Sequence, residues 1–392
     1  MRVTFVVQRY GPHVIGGAEG LCRSTARALV ERGHAVHVIT TTAREYLHWS
    51  PVDAQGASAE DGVTISRHDA SPADPARAAT LTSEISLGGG TPAIEREWAL
   101  AQGPISRSLL AEVATTTGPV ALWTYLYATS QLAAPLTRGR SILVPTAHNE
   151  AQLRFGLTRG VMNLVSAFAF LTPEERMLVD DYFTLGDRPS EIVGAALPAR
   201  PATDGESADI GVERPIDGPY VLYVGRMDPG KGVGELAHHH AHYRRRGGRA
   251  RLVFAGPGDP PPDLPEWAVT LGRVSDEMRT ALLSQAVALA MPSRNESYSL
   301  VLAEAWRDGC PTIGTGHSSV IAGQTRRSGG GLVYRSADEY ANAVRRLESD
   351  ADLRTTLGTS GRRWSQEQTW DAVGERWEHL IGMVERQAQS RG

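Results

Sequence analysis

Two glutamates eight residues apart, Glu296 and Glu304, stand in the stretch MPSRNESYSLVLAEAWRDGCP at 291–311. An apolar run ends there, a turn carries Asn295 and Glu296, and a helical pattern begins near Ser297 or Tyr298. If a helix joins them, the two carboxylates lie about 12 Å apart along its axis and about 80° apart around it, so one ligand can touch both. The backbone N–H groups of Ser297, Tyr298, Ser299 and Leu300 would then open the helix, where partial positive charge favours a phosphate. The plainer alternative pairs Glu304 with Arg307 on a solvated face, although Leu300, Val301, Leu302 and Trp306 make that face unusually apolar.

A second charged segment, YVLYVGRMDPGKGVGEL at 220–236, leads an apolar run into a glycine-rich loop that carries Arg226 and Lys231. Two fixed cations at the carboxyl end of a strand can neutralise the charge that develops on a diphosphate as its bond to a sugar breaks, with no metal ion. A loop lysine taken alone is equally a solvated one. The segment is not a P-loop, because Gly232 follows Lys231 where a magnesium-binding hydroxyl would stand. Near the start, Gly16 and Gly17 follow QRYGPHVI and allow close approach of a ligand to the backbone, or form only a turn. They depart from Gly-x-Gly-x-x-Gly, so a nicotinamide cofactor is not indicated. His148 and Glu150, in PTAHNE, end another apolar run; a single histidine there is as readily structural.

The elements that must position these residues alternate between short apolar runs and helical patterns. In the first half the runs are Val3–Val7, Ala35–Thr40, Val63–Arg67, Pro119–Trp123, Ser141–Pro145, Ala167–Leu171 and Glu191–Gly194, with an amphipathic helix over Ala18–Arg32. In the second half they are Tyr220–Val224, Arg251–Ala255, Ala268–Leu271, Val287–Met291, Pro311–Thr315 and Leu332–Tyr334, with helices near 232–246, 275–285, 298–308 and 337–348. Such alternation predicts parallel sheets covered by helices on both faces. The expected organisation is an amino-terminal Rossmann-like domain over 1–195, a linker rich in Pro, Gly and Asp over 196–219, and a second Rossmann-like domain over 220–369. A helical stretch over 370–392 can pack across both. Ligands of doubly wound sheets collect outside the carboxyl ends of the strands, so two such units facing each other would share a cleft. The segment Asp69–Thr91 shows no readable pattern and is expected to be loop.

Composition narrows the partners. The 392 residues include 40 Lys and Arg against 44 Asp and Glu, a formal charge of −4, which excludes the global basic field of a non-specific nucleic-acid binder. Two cysteines, Cys22 and Cys310, fit buried thiols in a reducing cytoplasm rather than a disulfide framework or structural zinc. The opening apolar run is too short for a signal peptide, and no run approaches a membrane span; peripheral membrane contact stays open. His238, His239, His240 and His242 are expected on the surface, since only His238 and His242 share a helical face. Asp350-Ala351-Asp352 reads as a helix cap rather than a metal motif.

The loop Gly-Gly-Ala-Glu after the first strand, the histidine after a mid-domain strand, Gly-Arg with Lys-Gly five residues later and the spaced glutamates together resemble the retaining glycosyltransferases of family four, which have the GT-B fold. VVQRYG, TTAREY, PTAHNE, FLTPEER and SGGGL extend the resemblance over nearly the whole chain. It implies a bacterial-type enzyme that moves a sugar from a nucleotide diphosphate to an acceptor hydroxyl with retention, needing no metal or other cofactor. Arg226 and Lys231 would hold the diphosphate, Glu304 the ribose, Glu296 the sugar hydroxyls and His148 the sugar's reacting side. Gly16, Gly17 and the 297–300 amides would also contact the donor, with Arg273 and Val274 beside the base. The acceptor would lie on the amino-terminal domain near Tyr125, Tyr127 and Glu150. The same residues suit a GT-B phosphorylase-like or pseudoglycosidic coupling enzyme, and a nucleotide-sugar-binding protein without catalysis would need Arg226, Lys231 and Glu304 but not Glu296.

Overall fold

The computed structural model describes residues 1–14, 16–197 and 216–390. The chain divides into two compact units, Met1–Ala195 with Trp370–Gly392, and Ala196–Thr369. Most of the expected linker, residues 198–215, lies outside the described residues.

Among the described residues the first unit holds eight strands: β1 (Arg2–Val6), β2 (Ala35–Thr41), β3 (Gly56–Glu60), β4 (Val63–His68), β5 (Val120–Trp123), β6 (Ser141–Val144), β7 (Ala167–Phe170) and β8 (Ser190–Ile192). Their order is β3-β4-β2-β1-β5-β6-β7-β8, parallel throughout except for the antiparallel pair β3–β4. Between β1 and β2 the helix Gly17–Glu31 turns Leu21, Cys22, Ala26 and Leu29 inward, the stripe that ties a crossover to its sheet. The strand β3 was not expected: GASAE has neither large apolar residues nor alternation, and none of it is buried. The segment read as loop instead forms the helix Pro75–Glu84, capped by Asp74 and opened by its proline, and Leu81 of this helix packs with Trp98 and Phe155.

The second unit holds β9 (Tyr220–Val224), β10 (Arg251–Ala255), β11 (Ala268–Gly272), β12 (Ala288–Met291), β13 (Thr312–Thr315) and β14 (Gly331–Tyr334), in the order β11-β10-β9-β12-β13-β14. All of its pairs are parallel. Side chains alternate between two cores: Val221 and Tyr223 join Leu252 and Phe254 on one face, Tyr220 and Leu222 join Val253 and Leu289 on the other. Both faces are thus covered, which is why these runs are apolar at every position. The helices Ser319–Ser328 and Ala351–Glu367 add to those expected, and Asp350 does cap the latter through the Leu353 amide at 2.8 Å.

One expectation needs correction. The histidines near 240 are not a surface run: His239 and His240 are buried, and His240 touches the Tyr340 hydroxyl at 2.9 Å and the Ala250 carbonyl at 3.0 Å. His242 pairs with Asp338 at 2.9 Å, and His239 lies 3.9 Å from Glu235. The terminal helix Trp370–Gln389 belongs to the first unit. Its Trp377 stacks on Trp123 at 6.2 Å and meets Phe5 at 5.5 Å, while Arg32 donates to Glu378 at 2.8 Å. Trp377 is buried, so Trp377→Ala is expected to destabilise the first unit by about 3–5 kcal/mol. Urea denaturation of the full chain reads this, and a loss below about 1 kcal/mol would mean that the helix is only laid on the unit.

Candidate functional site

In the second unit the strand order reverses between β9 and β12, and the loops after these two strands carry the charged residues singled out above. The loop after β9 runs through Gly225, whose φ of +151° suits glycine, to Arg226 and a short turn Pro229–Lys231. Gly232 then adopts φ +75° with the Pro292 carbonyl where a Cβ would stand, so only glycine lets this loop lie against the one after β12. The approach brings Lys231 Nζ within 2.8 Å of Glu296 Oε1, an ion pair in which the lysine is 28% and the glutamate 12% exposed. Arg226 is more exposed and lies 3.6 Å from Asp228.

The helix that follows begins later than expected. It spans Leu300–Arg307 with Ser299 as its cap, Ser299 Oγ accepting from the Leu302 amide. Ser297 and Tyr298 therefore lie in the preceding turn, and the Ser299 amide is donated to Gln324 Oε1 at 2.9 Å. The first-turn amides that remain for an anion are those of Leu300 and Val301. The 12 Å helical spacing also fails, because the chain between Glu296 and Leu300 is not helical. Glu304 sits one turn inside the helix, 18% exposed, and its ion-pair partner is not Arg307 but Arg279, at 3.4 Å. Burial raises its carboxyl above the ordinary value, opposed by Arg279 and then Arg307. Arg279 belongs to the helix Asp276–Gln285, which opens just after exposed Arg273 and half-buried Val274. Thus Glu304 pairs with the helix that opens just after Arg273 and Val274, while Glu296 and Lys231 meet where the central strands β9 and β12 end, with Arg226 in the same loop as Lys231.

In the first unit the reversal falls between β1 and β5. Gly16 caps the helix Gly17–Glu31, and a Cβ there would overlap the Glu19 carboxylate, which Arg9 and Gln8 bind inside the fold. Gly17 has open space around it. Gly16 is therefore explained by the Arg9–Glu19 pair, and Gly17 is the one left with room beside its backbone. Tyr125 is buried and donates its hydroxyl to Glu150 Oε1 at 2.7 Å, and His148 Nδ1 lies 3.8 Å from the same oxygen. These three predicted residues form one cluster. Tyr127 is apart from it, edge-on to Trp49 at 5.1 Å.

Backbone strain supports that cluster. Thr124 and Thr146, just past β5 and β6, have φ of +62° and +50°, conformations that β-branched residues adopt only when their surroundings impose them. One cause is Glu175. Thr172 and Glu175 make a capping box at the helix Pro173–Tyr182, and the glutamate reaches on to accept from the amides of Ala147 at 2.7 Å and Leu171 at 2.6 Å. It fixes the residue before His148. Neither Glu175 nor Arg279 was singled out in the sequence, although Thr-Pro-Glu-Glu does signal the cap. Among the described residues no group of three or more His, Cys, Asp or Glu is gathered to hold a metal ion, and no helix is long and apolar enough to cross a membrane.

Residues 218–350 match the family described as "Glycosyl transferases group 1". A D-inositol 3-phosphate glycosyltransferase of Salinispora arenicola is 31% identical over 40% of this chain and 39% of its own, so the chain spans well under half the length of this curated relative. A glycogen synthase of Mycobacterium tuberculosis is 26% identical over 95% of this chain and 92% of its own. In fold, the chain is similar to HepE of Anabaena, solved in complex with UDP and glucose, with a TM-score of 0.67 at 13% identity over 98% of this chain and 100% of that one. The two doubly wound units are those of the GT-B fold.

Burial pushes the Glu175 carboxyl up to about 8, against the pull of the surrounding amides. Because the folded value exceeds the ordinary 4.5, the stability linked to its proton is complete below the unfolded value and is lost as pH rises to about 8. Urea unfolding from about pH 5 to about pH 8 should therefore show a decline that is shallower in Glu175→Gln. Parallel slopes for the two proteins would remove this carboxyl from the account.

Proposed function

We propose, from the premise that residues 218–350 belong to the group 1 glycosyl transferases, that this protein moves a sugar from a nucleoside-diphosphate sugar to an acceptor hydroxyl with retention at the anomeric carbon and without a metal ion. The observation that carries the reading is the Lys231–Glu296 pair at the point where the strand order of the second unit reverses, with Arg226 in the same loop. A cation and a carboxylate 2.8 Å apart can both be reached by one ligand that presents phosphate to the first and hydroxyls to the second. The second domain takes the donor and the first the acceptor.

In the proposed reaction the bond between C1 and the phosphate oxygen breaks while Arg226, Lys231 and the Leu300–Val301 amides take up the charge developing on the diphosphate. Glu296 holds the sugar hydroxyls and steadies the cationic centre at C1. The acceptor oxygen bonds to C1 on the face the diphosphate leaves, and its proton passes to the departing phosphate oxygen. Glu304 receives the ribose hydroxyls in place of Arg279, with Arg273 and Val274 beside the base. Gly17 and His148, assigned by resemblance, contribute to donor contact from the first domain, and Gly16 supports that loop from within.

Glu296→Gln keeps the shape of the side chain and removes its charge. It is expected to lower kcat by about 100- to 1,000-fold while nucleoside-diphosphate affinity changes by less than about threefold. Steady-state kinetics and calorimetric titration separate the two, and comparable losses in both would contradict the assigned role.

A further inference from the structure

Glu304, within the helix Leu300–Arg307, is a carboxylate largely withdrawn from water, and such a group keeps its charge only where a cation answers it. Charged groups act on it from two directions: Arg279 and Asp276 on the helix Asp276–Gln285, and Arg307 and Asp308 at the end of its own helix. Arg307 is itself paired with buried Asp308 at 3.4 Å. The helix Ala351–Glu367 packs against the same helix, but there Ser365 donates to the Ala303 carbonyl at 3.3 Å and Arg362 to the Asp308 carbonyl at 3.2 Å. The strands β12 and β13 beneath carry no charged residue. Arg279 is therefore the cation that answers Glu304.

The pair is open rather than closed. Arg279 Nε stands 3.4 Å from Glu304 Oε2, longer than the about 2.8 Å of a charge-assisted hydrogen bond. On its other side the guanidinium lies 3.2 Å from Asp276, which is exposed and so a weak competitor in water. The helix that carries Arg279 is capped by Ser275, which fixes where the side chain starts. Glu304 thus has its charge offset while its lone pairs remain able to accept from hydroxyls. A neutral carboxyl would accept less well, because one of its oxygens carries a proton. Burial raises this carboxyl, and Arg279 is the largest influence opposing the rise.

We propose that Arg279 is a positioning residue for the nucleoside: it keeps Glu304 ionised and open, so that the vicinal hydroxyls of a ribose can donate to the carboxylate, and it does so without touching the nucleotide. The ribose rests on the glycosyl-transfer reading; the coupling of Arg279 to Glu304 does not. Two measurements on the full chain test it, and the first needs no ligand. Arg279→Gln raises the Glu304 carboxyl further, and a folded-state value above the unfolded one gives stability that is lost as pH rises. Urea stability between about pH 5 and about pH 8 should therefore fall more steeply than in the unsubstituted protein, Arg279→Lys should restore the slope, and adding Glu304→Gln to Arg279→Gln should abolish the excess. The second is calorimetric titration with UDP, GDP and ADP and with their 2′,3′-dideoxy forms. For the ribose nucleotide that binds best, Arg279→Gln should weaken binding about tenfold at about pH 6 and less than about twofold at about pH 8.5, with its dideoxy form unaffected at both. The nucleotide's own phosphate titrates alike with either protein, so the ratio of affinities is the reading. Equal losses at the two pH values, equal losses for the dideoxy form, or an unfolding slope indifferent to Arg279→Gln would overturn the proposal. A steeper slope in a protein whose unsubstituted form binds no nucleotide would instead strike the glycosyl-transfer reading and leave the coupling standing.

Discussion

The contact between Lys231 and Glu296 is the constraint on which the site of the second unit depends. It joins the loop after β9 to the loop after β12, two neighbouring strands whose connections leave the sheet in opposite directions. Such a junction leaves a crevice at the carboxyl ends because no crossover covers it. Gly232 makes the contact possible by letting backbone lie on backbone, and Ser299 with Gln324 fixes where the following helix begins. A half-buried ion pair of this kind holds its loops in register while no ligand is bound, and each partner alone would be an uncompensated charge.

The first unit solves its positioning problem with strain and a buried acid. Two threonines hold positive φ past adjacent strands, and Glu175 grips the backbone beside His148 from the start of the next helix but one. The outcome is a cluster in which one glutamate, Glu150, receives a tyrosine hydroxyl and stands near an imidazole. Strained backbone held by hydrogen bonds to a buried carboxyl is a rigid support for the side chains it carries.

Much of this architecture was legible in the amino-acid order, for identifiable reasons. Central strands such as Tyr220–Val224 and Ala288–Met291 are buried on both faces, so they appear as unbroken apolar runs bounded by glycine or proline. Residues at their carboxyl ends could therefore be located, and Lys231 with Glu296, and Tyr125 with His148 and Glu150, do come together. What escaped had no such signature. β3 is made of small exposed residues, and the Pro75–Glu84 helix has only Ala78 and Leu81 buried. His239 and His240 were misplaced because a run of polar letters hides which of them the helix turns inward. The helix start at Leu300 rather than Ser297 depends on a long-range bond to Gln324, which local propensity cannot foresee.

The central claim is that the loops after β9 and β12 grip one diphosphate. Amide hydrogen exchange of the full chain, with and without saturating nucleoside diphosphate, tests it most directly. Protection of both 225–232 and 296–304, with 272–279 following when the base is present, is the predicted pattern. A bound nucleotide that leaves both loops exchanging at their free rates would contradict the account.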